Sequence, residues 1–158
     1  MLYAVLKLIH LLSVIVWIGG MVFSHFFLRP ALGELDPPVK ARLMAAVLSR
    51  FLNAVLVLGT LTVFSGLWMI GRVAKQTVQA GLPFNMPLEW WVMSGLGLFM
   101  WLVLGHIRFV LFKRLRRAVD GLDWSAANRV LVQIRHWVLF NLSVGLLIVA
   151  VVVIGTST

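Results

Sequence analysis

Four stretches of the chain carry no charge for about the length of a bilayer crossing. They cover residues 8–28, 51–71, 90–107 and 136–158, which is 21, 21, 18 and 23 residues. A helix needs about 20 apolar residues to span the hydrocarbon layer, with a range of about 17–25. In lipid the backbone is satisfied only within helices or closed barrels, and these runs are too long and too evenly apolar for barrel strands. The sequence therefore predicts an all-α fold. It is a single domain, a four-transmembrane-helix up-and-down bundle with spans at about 8–28, 51–71, 90–107 and 136–155.

Composition agrees. Of 158 residues, 61% are hydrophobic and 12% charged, against roughly 45–50% and about 25% in soluble domains. That excludes a disordered chain and an ordinary soluble enzyme. Cysteine is absent, which excludes disulfides, thiolate nucleophiles and Cys-ligated metal clusters. The apolar part of the first span exceeds the ~7–15 residues of a signal-peptide core, so it reads as a retained helix.

The net charge of +9 reads as topology, with no nucleic-acid partner implied. Arg29, Lys40, Arg42, Arg50, Arg108, Lys113, Arg114, Arg116, Arg117, Arg129 and Arg135 lie in or beside the loops after the first and third spans. Only Lys7, Arg72 and Lys75 lie on the other side. Eleven against three predicts a cytoplasmic position for both basic loops and an outside position for both termini. Trp68, Trp90 and Trp91 fall near the outer interface, and Trp124 and Trp137 near the inner one. The third and fourth spans should continue as a cytoplasmic hairpin, with Gly121 capping the third helix and Asp123 or Ser125 starting the fourth. Lys113-Arg114-Leu115-Arg116-Arg117 should meet anionic lipid head groups of the bilayer. Asp36-Pro37-Pro38 reads as the start of the second helix.

Ionisable groups in a bilayer are functional candidates by default. All four histidines fall in or at the edges of the spans. At about 1.5 Å per residue, His25, His106 and His136 lie roughly 10–15 Å to the inner side of their span centres, and His10 roughly 12 Å to the outer side. First and third helices of an up-and-down bundle are diagonal neighbours, with space for a macrocycle between them. His25 and His106 are thus the first-choice axial ligands of a haem b, with His136 as a substitute for either. Arg29, Arg108 and Arg135 lie at a suitable level for its propionates. Gly19-Gly20 and Gly95-x-Gly97 allow close helix approach or room for the ring. Such a protein would pass single electrons between a quinone or redox partner and an acceptor, as a membrane oxidoreductase.

A second site is copper-like. Met69, Met86 and Met93 lie close in depth to His10, and Met86, Met93 and Met100 repeat at intervals of seven along the third helix. Thioether and imidazole ligands suit Cu(I), although methionine also serves as a gap-filler. An isolated membrane histidine also commonly just hydrogen-bonds a neighbouring helix. Asn53, Asn141, Ser65 and Ser143 read as helix–helix hydrogen-bonding residues.

The segment Lys7-Leu-Ile-His10-Leu-Leu-Ser-Val-Ile-Val-Trp17-Ile-Gly19-Gly20-Met21, followed by Phe27-Leu28-Arg29-Pro30-Ala31-Leu32, resembles the CopD family of bacterial inner-membrane proteins. Gly105-His106, Leu115-Arg116-Arg117-Ala118-Val119, Asp123-Trp124 and Asn141-Leu142-Ser143-Val144-Gly145-Leu146 resemble the same family. The most specific element is the His10, Trp17, Gly19, Gly20 spacing. The resemblance implies a multi-pass inner-membrane protein for copper resistance or copper uptake, beside a periplasmic copper carrier, with His10 and His106 carrying the family motif. The family's His-x-His-like pair before the third helix is replaced here by Phe84-Asn85-Met86-Pro87. The first span is also similar to that of a four-helix, haem-b-binding protoporphyrinogen oxidase family. A cofactor-free assembly subunit and a homo-oligomer are further readings that the sequence leaves open.

Overall fold

A computed structural model describes residues 1–155, and those residues form four long helices joined by short turns, with no strand among them. We label them α1 (Leu2–Ala31), α2 (Pro37–Gln79), α3 (Leu88–Asp120) and α4 (Trp124–Gly155). All four are long and apolar enough to cross a membrane. The architecture is that of a multi-pass membrane protein. Each helix outruns its charge-free window. α2, with 43 residues, is roughly 65 Å long, about twice the ~30 Å hydrocarbon layer. Charge marks where a helix leaves lipid and has no bearing on where its hydrogen bonding stops.

Local chemistry explains the turns. Pro37 starts α2 directly after Asp36, whose carbonyl accepts from the Lys40 N–H at 2.9 Å; proline suits this place because the first-turn N–H has no helical acceptor. α2 ends on Gly81 at φ +77°, with the Leu82 N–H reaching back to the Thr77 carbonyl. The turn from α3 to α4 has the same form, with the Asp123 N–H on the Ala118 carbonyl and the Leu122 N–H on Val119. Here, however, the left-handed position is Leu122, at φ +56°, and Gly121 one place earlier has φ −83°. Gly121 is the C-cap of α3, as expected, and the left-handed residue follows it. The lack of a side chain at Gly121 serves a close approach, since a Cβ there would lie 3.2 Å from the Arg117 carbonyl oxygen. Asp123 starts α4, its carboxylate accepting the Ala126 N–H at 2.8 Å. Ser125 accepts from Arg129.

Buried positions recur every three or four residues, as one helix face requires. α2 contributes Ala41, Met44, Leu48, Leu52, Val55 and Gly59, and α4 contributes Ala127, Leu131, Ile134, Val138, Leu142 and Gly145. α1 and α2 form the broadest interface, α3 and α4 pair along their length, and α2 also meets α4 across one diagonal. The α1–α4 interface is thinner, and α1 and α3 lie across the longer diagonal.

The core is lopsided. The end holding the turns at 32–36 and 121–123, here called the basic end, contains most of the fully buried side chains. Towards the terminal end, Ser13, Gly66, Met100 and Gly145 are the last buried residues on their helices among those described. Hydrocarbon outside a bundle is as apolar as leucine within it, so close packing must hold the helices in the bilayer. Two glycines supply that at mid-span. A Cβ on Gly59 would sit 3.2 Å from both the Trp17 and Trp101 indoles, and one on Gly145 would sit 3.0 Å from Met100 and 3.4 Å from Ile18. A Cβ on Gly20 would collide with the Phe51 ring. Gly95 and Gly97 have open space around them, so neither serves the close helix approach expected of the pair.

Gly59→Ala should lower stability by about 1–3 kcal/mol through overpacking, whereas Gly95→Ala should leave it unchanged or raise it by up to about 1 kcal/mol through helix propensity. Leu122→Gly should stabilise, because a left-handed L-residue costs roughly 1–2 kcal/mol and glycine returns less than that in chain entropy. Thermal unfolding in detergent, followed by circular dichroism, measures all three.

Candidate functional site

The inward stripe of α1 is His10, Ser13, Trp17, Met21 and Ser24, spaced by three, four, four and three residues. His10 is its outermost member and lies against α2. Its Nδ1 is 2.9 Å from the Thr62 carbonyl oxygen and 3.2 Å from Ser65 Oγ. Ser65 donates its own proton to the Leu61 carbonyl at 2.6 Å. A carbonyl oxygen has no proton to give and the serine proton is engaged, so Nδ1 of His10 must be the donor. In the neutral ring the lone pair then sits on Nε2. That nitrogen makes no hydrogen bond among the described residues and is not sealed from solvent. Gly66 is what lets the ring in: a Cβ there would stand 3.1 Å from its Cε1.

A ring with one nitrogen fixed on a backbone carbonyl and the other bare has the outer-shell arrangement typical of metal-binding histidines. The hydrogen bond contributes little to stability. Such bonds in membrane proteins average about 0.6 kcal/mol and reach about 1.7, so an apolar residue would serve folding as well. Met69 stands three residues beyond Gly66 and seven beyond Thr62, on the same face of α2, and is half-buried. Met93 is half-buried on α3, seven residues before Met100. Met86 lies before Leu88, where α3 begins. The expected three-methionine stripe is therefore reduced to Met93 and Met100, because proline at position 87 starts the helix after Met86.

The other histidines are placed differently. His25 is half-buried, with its Nδ1 sealed and without a partner among the described residues. His106 is exposed on α3, its ring 5.2 Å from that of Trp137 on α4. This contact sets His106 level with the start of the fourth span. His136 is exposed too. Trp17, Met21, Met100, Val103 and Leu104 belong to the buried core. Phe51 fills the notch at Gly20.

The arginines divide. Arg108 turns to α2, donating from Nε to Asn53 at 2.8 Å and lying over the Phe112 ring. Arg29 turns to α4, donating from Nη1 to the Leu131 carbonyl at 3.2 Å. Arg135 is exposed and one helical turn beyond Leu131. Its charge and that of Arg29 act on His25. No three histidine or acidic side chains come together among the described residues.

Sequence reasoning missed two features. The Thr62 carbonyl and Gly66 complete the seat of His10 beside Ser65, which the sequence marks only as a helix–helix hydrogen-bonding residue. Gly66, seven residues after Gly59, was the available signal. The other is a pair of π-helical segments, Phe23–Leu28 in α1 and Ile107–Leu111 in α3. In the first, the Arg29 N–H bonds the Ser24 carbonyl, and in the second the Phe112 N–H bonds Ile107, each spanning five residues. Such segments often accompany functional positions. His25 lies inside the first and His106 immediately before the second.

Comparison with known proteins finds no match to the chain among family models, curated proteins or solved structures.

Nitrogen-15 NMR of histidine-labelled protein should show His10 as the Nδ1–H tautomer with an unprotonated Nε2. Gly66→Val should abolish that signature by evicting the ring from α2.

Proposed function

We propose that the protein handles Cu(I) as a substrate in the bacterial inner membrane, with both termini outside and the basic end in the cytoplasm. The carrying observation is the His10 ring, held through Nδ1 on the Thr62 carbonyl with Nε2 left bare. Met69, on the same face of α2 as the His10 seat, supplies a thioether, and Met86 and Met93 lie towards the same end. Thioether and imidazole together suit Cu(I). The resemblance of the first span to the CopD family supports this reading, as does the asymmetry of the core. Ser13 and Gly66 are the last fully buried residues on α1 and α2, so His10 sits at the terminal-end margin of the α1–α2 core. A copper carrier outside the membrane would deliver the ion there. The chain's own part is to present one nitrogen lone pair in a fixed direction and to admit the ion between α1 and α2.

A second reading, haem b in membrane electron transfer, is favoured by the sealed and unpartnered Nδ1 of His25 within a π-helical segment. Its other ligand would be His106 or His136, of this chain or of a second copy. Bound there, haem would supply one-electron chemistry.

Competition titration with a Cu(I) chelator should give a dissociation constant at least about tenfold weaker for His10→Ala than for the unaltered chain, with a smaller loss for Met69→Leu. Equal affinity in His10→Ala would remove the copper reading. An absorption spectrum of the same preparation tests the second. A Soret band lost in His25→Ala supports haem, and colourless protein that takes up no added haemin rejects it.

A further inference from the structure

The basic end of the α1–α4 interface holds an uncompensated cation. Arg29 is half-buried and spends Nη1 on the Leu131 carbonyl, while its Nε and Nη2 are sealed and have no partner among the described residues. The charge acting on it is that of Arg135, of the same sign, and Arg29 forms no ion pair with a described residue. His25, one turn earlier on α1, adds a third sealed nitrogen without a partner. Withdrawing a guanidinium from water costs several kcal/mol unless an opposite charge and hydrogen-bond acceptors meet it. Among the described residues nothing does. Two arginines and an imidazole gathered at the basic end of one helix interface call for an oxyanion with several acceptor oxygens.

The position says what carries that oxyanion. Arg29 stands beside the 32–36 turn, at the end of a membrane-spanning helix whose outer side carries exposed Phe23, Phe26 and Phe27. Along the same interface the packing is thin. A ligand reaching this interface from the bilayer would set an acyl chain along these phenylalanines and its head group at the arginines. Planar guanidinium groups match phosphate oxygens in pairs, and the excess of positive charge favours a lipid with a net negative charge.

We propose that Arg29, Arg135 and His25 form a specific site for the phosphate of an anionic phospholipid, seated between α1 and α4 at the basic end. The site is separate from His10 and independent of the copper reading. It differs from the exposed basic run at 113–117, whose lysine and arginine side chains are solvated and act as a general positive surface.

The test uses delipidated full-length protein in neutral detergent, titrated with phosphatidylglycerol or phosphatidylcholine and read by native mass spectrometry. One phosphatidylglycerol per chain should be retained in preference to phosphatidylcholine. Binding should weaken at least about fivefold for Arg135→Gln and again for Arg29→Met, the worth of one cation at an anionic lipid. Arg117→Gln should leave it unchanged. Arg135 is exposed, so its variant should fold, and Arg29→Met keeps the volume while removing the unpaired charge. Equal retention by all variants overturns the proposal. Two further arms separate the sources of oxyanion. Displacement of the lipid by millimolar inorganic phosphate would assign the site to the free ion. Retention of haemin in place of lipid, lost in the same two variants, would assign it to propionate carboxylates. Either result overturns the phospholipid.

Discussion

A hydrocarbon layer offers a polar atom no partner, so each one that enters it must be met by the chain or by something the chain binds. This constraint orders the whole molecule. It makes four continuous helices the only economical path for the backbone. It leaves side chains as the sole place where polarity is optional. Most polar side chains in the helices bond locally, as Thr60, Thr62, Thr77 and Ser143 do to carbonyls four residues earlier. Others reach across helices, as Asn53, Trp101 and Asn141 do, the last with its Oδ1 left sealed and unpartnered among the described residues, and two further groups lie at opposite levels of the bundle. His10 is met on one nitrogen and free on the other. His25 Nδ1 and two of the three Arg29 nitrogens are sealed and unmet. The first arrangement is that of a ligand held ready, and the second is that of a charge awaiting a counterpart.

The packing explains why these groups can coexist with a stable fold. The side chains with almost no exposure, such as Met44, Leu48, Leu115 and Ile134, lie towards the basic end. There α2, α3 and α4 run on past the charged residues that bound their apolar windows. That region can fix helix register without help from the membrane. The mid-span layer relies instead on shape, with Trp17 and Trp101 over Gly59 and Met100 against Gly145. Trp101 is further held by Thr60, its Nε1 donating to the hydroxyl at 3.2 Å. Beyond Ser13 and Gly66 no described residue is buried, although α3 and α4 still approach closely at Glu89 and Gly155.

Much of this was legible in the sequence. Charge-free runs gave the number of helices, because a charged side chain in lipid is costly enough to be rare. Asp36-Pro37 and Asp123 marked helix starts, because capping is a local interaction that a tripeptide already contains. What could not be read was everything that depends on rotation about a helix axis. His106 lies at the expected depth yet faces outward to Trp137, since depth follows from residue count and facing depends on accumulated phase. Gly95 and Gly97 looked like contact points only because small residues are also common where nothing is touched.

The two π-helical segments alter that phase within a helix. A five-residue hydrogen bond accommodates one residue more than a regular turn, so the part of α1 after residue 28 is rotated with respect to the part before residue 23. Each residue of an α-helix advances the face by about 100°. Deleting a single residue between 23 and 28 would restore an unbroken α-helix with Arg29 still facing the Leu131 carbonyl, whereas drawing the same residues into regular α-turns without a deletion would swing Arg29 away by about 100°. The widened turn therefore lets α1 carry one extra residue while keeping its basic end in phase with α4 and leaving the rest of the span undisturbed.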